Sequence, residues 1–154
     1  MNWTPRLLTF LLQWYPPYLG AGVTVTRISP DWHELCVSMK LRWYNRNIVG
    51  TQFGGSLYSM IDPHLMLLLM QLLGTDYTVW DKGAEIEFVR PGTGTVTCTI
   101  TILATELADI RAATADGRKY LPEFNLKIVD DSGAVVAKVK KILYVRRKPL
   151  KELS

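Results

Sequence analysis

The sequence predicts an α+β fold in which an antiparallel sheet covers one very apolar helix. Three observations carry the prediction. Residues 56–73 form the one long apolar segment of helical length, closed by Gly74 in a C-terminal capping position. Later stretches alternate at period two, most cleanly where Val96, Cys98, Ile100 and Ile102 share one face and Thr95, Thr97, Thr99 and Thr101 the other. The element order is helix, hairpin, long helix and then four or so strands. A helix as apolar as 57–73 does not lie on a surface, so it is expected inside the sheet's concave face or between subunits.

Each element has its own signal. Thr4 and Pro5 are an N-cap and first-turn pair, and Leu7, Leu11 and Trp14, with Leu8, Leu12 and Tyr15, give a helix over about 4–15 a wide apolar face. Pro16-Pro17 ends it. Residues 22–28 and 35–41 alternate at period two around a Ser-Pro-Asp turn at 29–31, which reads as a β-hairpin. A polar loop, WYNRNIVGTQFGG, leads into the long helix. Beyond it, Ala84, Ile86 and Phe88 alternate with Glu85, Glu87 and Val89 until Arg90-Pro91-Gly92 breaks the strand. Strands near 121–130 and 134–145 are joined by Asp131-Ser132-Gly133.

With 154 residues, one domain over 1–154 is expected. A composition of 48% hydrophobic and 21% charged residues excludes disorder, collagen and coiled coil. A net charge of +4 suits an anionic ligand but falls short of a dedicated nucleic-acid binder. Cys36 and Cys98 lack metal-ligand spacing, so free, buried thiols in a reducing compartment are expected. Neither 57–73, interrupted by Asp62, Pro63 and His64, nor 7–15 reads as a membrane span or a cleaved signal, which makes a cytoplasmic protein the expectation.

Asn47, followed six residues later by FGGSLYSMID (53–62), is similar to the pattern of the PaaI-like acyl-CoA thioesterases of the hotdog fold: an Asn, a spacer, His-Gly-Gly, and an Asp seven residues after the second Gly. EFVRPG (87–92) resembles that group's strand ending in Arg-Pro-Gly, and IVDDSGAVVA (128–137) its later hairpin. The resemblance spans about 45–145 and implies a hotdog fold and hydrolysis of an acyl thioester. This chain departs from the pattern in carrying Phe53 at the His position. Gln52 beside it offers a hydrogen-bond donor that does not titrate near neutral pH.

Thioester hydrolysis needs a base or nucleophile, a place for the developing oxyanion, and a dry acyl pocket. Asp62 is the one carboxylate inside the apolar segment and the candidate base; as an alternative it caps a helix starting at Pro63. Gly55 N–H, with Gly54 before it, is the candidate oxyanion donor, while a tight turn needing positive φ also explains a Gly-Gly pair. Asn47, Gln52, Phe53 and Gly54 are candidate substrate contacts, Asn47 being equally a turn residue. Arg90 is placed to meet CoA phosphates or to end a solvated strand.

Lys138, Lys140, Lys141, Arg146, Arg147, Lys148 and Lys151 put seven positive charges into 14 residues without an acid. Lys138 and Lys140 lie on the opposite strand face from Val139 and Lys141, and Tyr144 is the one aromatic among them, so the run reads as a solvated edge or CoA attractor rather than a nucleic-acid site. His64 is expected to be structural and His33 exposed.

The expectation is therefore an acyl-CoA or related acyl-thioester hydrolase, a homodimer or homotetramer, with no metal and no cofactor beyond the CoA of the substrate. The alternatives are a hotdog dehydratase or hydratase, which wants a His partnered to the carboxylate, and a non-catalytic module binding an acyl-CoA or fatty-acyl ligand.

Overall fold

The structure is a computed structural model describing residues 3–149; Lys151 of the basic run lies outside the described residues. Helix α1 (Pro5–Gln13) starts as its sequence dictates, with the Thr4 hydroxyl accepting from the Leu7 amide at 3.2 Å. Pro16-Pro17 ends α1 but also begins a second short helix, α2 (Pro16–Ala21), because a proline's fixed φ suits a first helical turn. Only part of the wide apolar face is used. Leu8, Leu12 and, from α2, Tyr18 are buried, while Leu7, Leu11, Trp14 and Tyr15 remain exposed.

The predicted hairpin is β1 (Val23–Ile28) and β2 (Glu34–Lys40), antiparallel with Val25 opposite Val37. His33 in its turn is half-buried rather than exposed, because its Nδ1 lies 2.6 Å from the Ile102 carbonyl.

The central helix departs from the single span expected over 56–73. It forms α3 (Gly54–Ser59) and α4 (His64–Leu73), separated by a turn at Met60–Pro63. Pro63 has no N–H to donate and its ring would collide with the carbonyl four residues earlier, so the ladder stops there. In the turn the Asp62 amide donates to the Tyr58 carbonyl (3.2 Å) and the His64 amide to that of Ile61 (3.1 Å). The stretch Gly54–Leu73 has the length and apolarity of a membrane span, but half of it is buried within this fold. Leu57, Met60, Ile61, Leu65, Leu68 and Leu69 are the centre of the core.

Strand β3 (Tyr77–Phe88) begins well before Ala84, and is followed by β4 (Thr95–Thr101), α5 (Ala104–Ala113), β5 (Lys119–Tyr120), β6 (Glu123–Asp130) and β7 (Val135–Arg147). All pairings are antiparallel, in the order β1-β2-β4-β6-β7-β3, with β5 beside β7. The β4 alternation is as predicted: Val96, Cys98 and Ile100 face the core. Cys98 is buried and free; Cys36, on the opposite face, is free but only half-buried. Helix α5 had no apolar period to announce it, since Ile110 is its single buried residue. Its signal was local: the Glu106 carboxylate accepts from the Leu103 amide at 2.7 Å.

The curved sheet wraps α3 and α4 with β3 left as an edge, and the observed architecture is that of a hotdog fold.

At the α2–β1 junction Gly22 adopts φ +76°, and a β-carbon there would come within 2.4 Å of Asn45 Nδ2. Asn45 is buried and pinned by bonds to the Ala21 and Lys40 carbonyls (3.1 and 3.0 Å), so it has little room to yield. Gly22→Ala is expected to lower stability by about 2 kcal/mol, combining left-handed strain with the clash; a urea midpoint equal to wild type would refute it.

Candidate active site

The chemistry of the fold concentrates where the α3–α4 turn meets β7 and β3. Residues Ala137, Val139, Leu143 and Val145 of β7 face the core, and period two puts Lys141 in the same row. Its side chain is 0% exposed. A buried ammonium is tolerable only when its N–H groups and its charge are met: it donates to Asp62 Oδ1 at 2.7 Å and to Tyr58 Oη at 2.9 Å, and Asp81 Oδ1 lies 3.1 Å away as an ion-pair partner. Lys141 is thus removed from the solvated basic edge in which the sequence reading placed it. Its signal was its phase, in register with Val139 and Leu143 rather than with Lys138 and Lys140.

Burial works against the charge on Lys141, but the bonds to Asp62 and Tyr58 and the charges of Asp81 and Asp62 outweigh it and hold its pKa up at about 12. It is an ammonium at any ordinary pH. Burial also opposes ionisation of Asp62, yet hydrogen bonds from Lys141 and Asp81, with the charge of Lys141, bring its pKa below the usual carboxylate value. Asp81 goes the other way. Burial and its bond to Asp62 raise it, against the pull of Lys141. Two carboxylates beside one cation therefore split into a stronger and a weaker acid.

Asp62 is 43% exposed, so one face of the carboxylate stays open to solvent. It does not cap α4: the N-cap is Pro63 and no side chain bonds the first turn. The Asp62 carbonyl accepts from the Tyr18 hydroxyl at 2.7 Å, and the same hydroxyl lies 3.0 Å from His64 Nε2. His64 is fully buried, with Nδ1 at 2.8 Å from the Met60 carbonyl. A carbonyl only accepts, so Nδ1 carries the proton and Nε2 accepts from Tyr18, whose single hydrogen is shared between two partners. Burial brings the His64 pKa down to about 4, so the ring is neutral and braces the turn.

Gly54 and Gly55 open α3, and neither has a positive φ. What a side chain would meet here is an aromatic ring, not backbone strain. A β-carbon on Gly54 would come within 2.8 Å of the Phe88 ring, and one on Gly55 within 2.4 Å of the Phe53 ring. Phe53 and Phe88 are each 55% exposed and lie over the two glycines. As the second residue of α3, Gly55 has no intrahelical acceptor for its N–H.

Among the described residues none of the remaining sequence-derived candidates bonds to Tyr58, Asp62 or Lys141. Asn47 closes its own loop, accepting from the Val49 and Thr51 amides (3.1 and 3.0 Å) and donating to Thr51 Oγ1 at 2.9 Å. Gln52 is buried; its Nε2 donates to the Met39 and Gly94 carbonyls (3.2 and 2.9 Å), leaving Oε1 unpartnered. Arg90 forms an ion pair with Asp130 and is partly exposed. Sequence reasoning missed Tyr58, Asp81 and Lys141. Among the described residues no three His, Cys, Asp or Glu side chains cluster as a metal site. A cavity of about 610 Å³ between α1 and the end of β1 contains none of these groups.

Residues 4–145 match the family model described as a domain of unknown function, DUF4442. No curated protein matches the sequence. Solved structures do. A Pseudomonas aeruginosa protein of unknown function, described as a probable thioesterase, is similar with a TM-score of 0.78 at 18% identity, covering 92% of this chain and 95% of its own. A thioesterase from Haemophilus influenzae gives 0.70 at 17% identity, covering 99% and 96%. A protein with unknown function from Chlorobaculum tepidum gives 0.72 at 18% identity, covering 95% and 98%. At these identities the likeness shows the fold.

Removing the ammonium should expose its electrostatic role. In Lys141→Met, Asp62 and Asp81 face each other without a cation, and their folded pKa values rise above the unfolded ones. A carboxylate so raised costs stability in full above its folded pKa, and the cost fades as the pH falls from there to the unfolded pKa. The variant is expected to lose about 2 kcal/mol at pH 7, a figure reduced for the exposure of Asp62, and to recover much of the deficit near pH 4.5. Urea unfolding at the two pH values checks this; a deficit that grows on acidification would contradict it.

Proposed function

The chain belongs to the DUF4442 family, and on that footing we propose that it is a hydrolase of acyl thioesters, acyl-CoA foremost, with Asp62 as its base. The observation that carries this reading is an ionised, partly exposed carboxylate fixed by a buried ammonium, in the turn after a Gly-Gly helix start on a hotdog scaffold. Asp62 takes a proton from water as the water oxygen attacks the thioester carbonyl carbon, and the C=O π pair moves onto the carbonyl oxygen. The Gly55 N–H, helped by the partial positive charge of a helix start, steadies that oxyanion. When the carbonyl re-forms, the C–S bond breaks with its electron pair on sulfur. The proton held by Asp62 goes to the thiolate, leaving a carboxylic acid and a thiol.

The other candidates take supporting parts. Phe53 and Phe88, packed over Gly55 and Gly54, form an apolar wall for an acyl group. Asn47 and Gln52 hold the loop that carries Phe53, and Arg90, through N–H groups not used on Asp130, meets CoA phosphates. Two copies pair across the exposed β3 edge. The second reading, an acyl-binding module without turnover, is favoured by Phe53, which cannot titrate where the related pattern has His.

Turnover of an acyl-CoA panel, measured beside binding of the same compounds, separates the two. Asp62→Asn is expected to abolish hydrolysis while the protein stays folded, because it removes the base at nearly constant volume. Full turnover by that variant would overturn the assignment, and wild-type binding without turnover would favour the module. Light scattering is expected to report a dimer or larger; a 17.5 kDa particle at micromolar concentration would exclude the pairing.

A further inference from the structure

Lys141 donates to two side-chain oxygens, a carboxylate and a phenol. Because the ammonium can only donate, the Tyr58 oxygen accepts. The hydrogen on that oxygen is therefore unspent, and among the described residues the Tyr58 hydroxyl has no hydrogen-bond partner besides Lys141. The ring sits 5.1 Å from the same ammonium. An N–H donated by a charged group into a hydroxyl polarises the hydroxyl's own O–H, which makes it a better donor onward.

Position adds to proton count. The Asp62 amide donates to the Tyr58 carbonyl at 3.2 Å, a four-residue step that stacks Asp62 one turn beyond Tyr58 on the same side of the segment. Lys141 itself is wholly buried and cannot touch a ligand, whereas Tyr58 is only partly buried and Asp62 is partly open. Tyr58 is thus the group through which the charge of the ammonium reaches the surface where Asp62 works.

We infer that Tyr58 is a catalytic hydrogen-bond donor, its O–H bonding the thioester carbonyl oxygen as charge develops there. The inference rests on the hydrolase reading above. Tyr58 keeps its proton throughout; the water proton goes to Asp62 and then to the departing thiolate.

The test uses three proteins on the acyl-CoA panel: wild type, Tyr58→Phe, and a variant with O-methyltyrosine at position 58. Phenylalanine removes both the acceptor for Lys141 and the donated hydrogen. O-methyltyrosine keeps the oxygen but has no hydrogen to give. Both are expected to lower kcat roughly 100-fold, the scale for loss of one oxyanion donor, with KM changed far less. Both are also expected to bind more weakly, roughly 10-fold, a ketone analogue in which a methylene replaces the thioester sulfur, which reads the donor without turnover. Wild-type kcat in the O-methyltyrosine protein would overturn the inference while leaving the hydrolase reading intact. So would a loss confined to Tyr58→Phe, since that marks only the bond to Lys141. A wild-type protein that neither hydrolyses the panel nor binds the ketone would overturn the hydrolase reading and this inference with it.

Discussion

The arrangement of this protein's candidate site depends on one constraint: an ammonium placed in the core row of β7 has to be surrounded by acceptors. Lys141 is registered between Val139 and Leu143, so the α3–α4 turn and β3 must each bring an oxygen to it. Tyr58, near the end of α3, and Asp62, in the turn that follows, bring two, and β3 brings Asp81. Three elements distant in sequence are thereby fixed against one atom, which makes the ammonium a structural tie as well as an electrostatic one. Well-packed apolar residues in the same volume would serve stability as well or better. The ionised state of Asp62 is what such a replacement would forfeit.

The turn that presents Asp62 is braced from the opposite side. Tyr18, delivered by the helix that Pro16-Pro17 begins, reaches the Asp62 carbonyl and His64 together. His64 spends its other nitrogen on the Met60 carbonyl. Backbone groups freed by the break at Pro63 are therefore recovered by side chains, as buried polar groups require. The break is a consequence of proline chemistry, and the site occupies the break.

Much of the fold was legible because it is written in short-range periodicity. The β4 threonines, the Thr4-Pro5 start and the Asp-Ser-Gly turn each declare themselves within a few residues. What stayed hidden had physical reasons. Helix α5 buries only Ile110 and so shows no apolar stripe, while the first half of β3 lies at an edge where alternation is weak. Asp62 was visible as a lone carboxylate in an apolar run, and Gly55 from its place before the helix. Lys141 showed its phase, on the face of Val139, but among Lys138 and Lys140 it was still read as one charge of a solvated run. Its partners come from residues 58, 62 and 81, and no local pattern encodes a contact across that separation.

The contact of the Phe53 ring with Gly55, and of the Phe88 ring with Gly54, carries an evolutionary consequence. Each glycine is tolerable as alanine only if its aromatic neighbour shrinks or swings away, and each ring is useful as a wall only while its glycine stays bare. The four positions therefore form two coupled pairs, in which a change at the glycine displaces its ring. Among relatives, a β-carbon at position 55 should arrive together with a smaller side chain at 53, and one at 54 together with a change at 88. An alignment deep enough to show both would record that covariation as the trace of a packing contact rather than of the chemistry beside it.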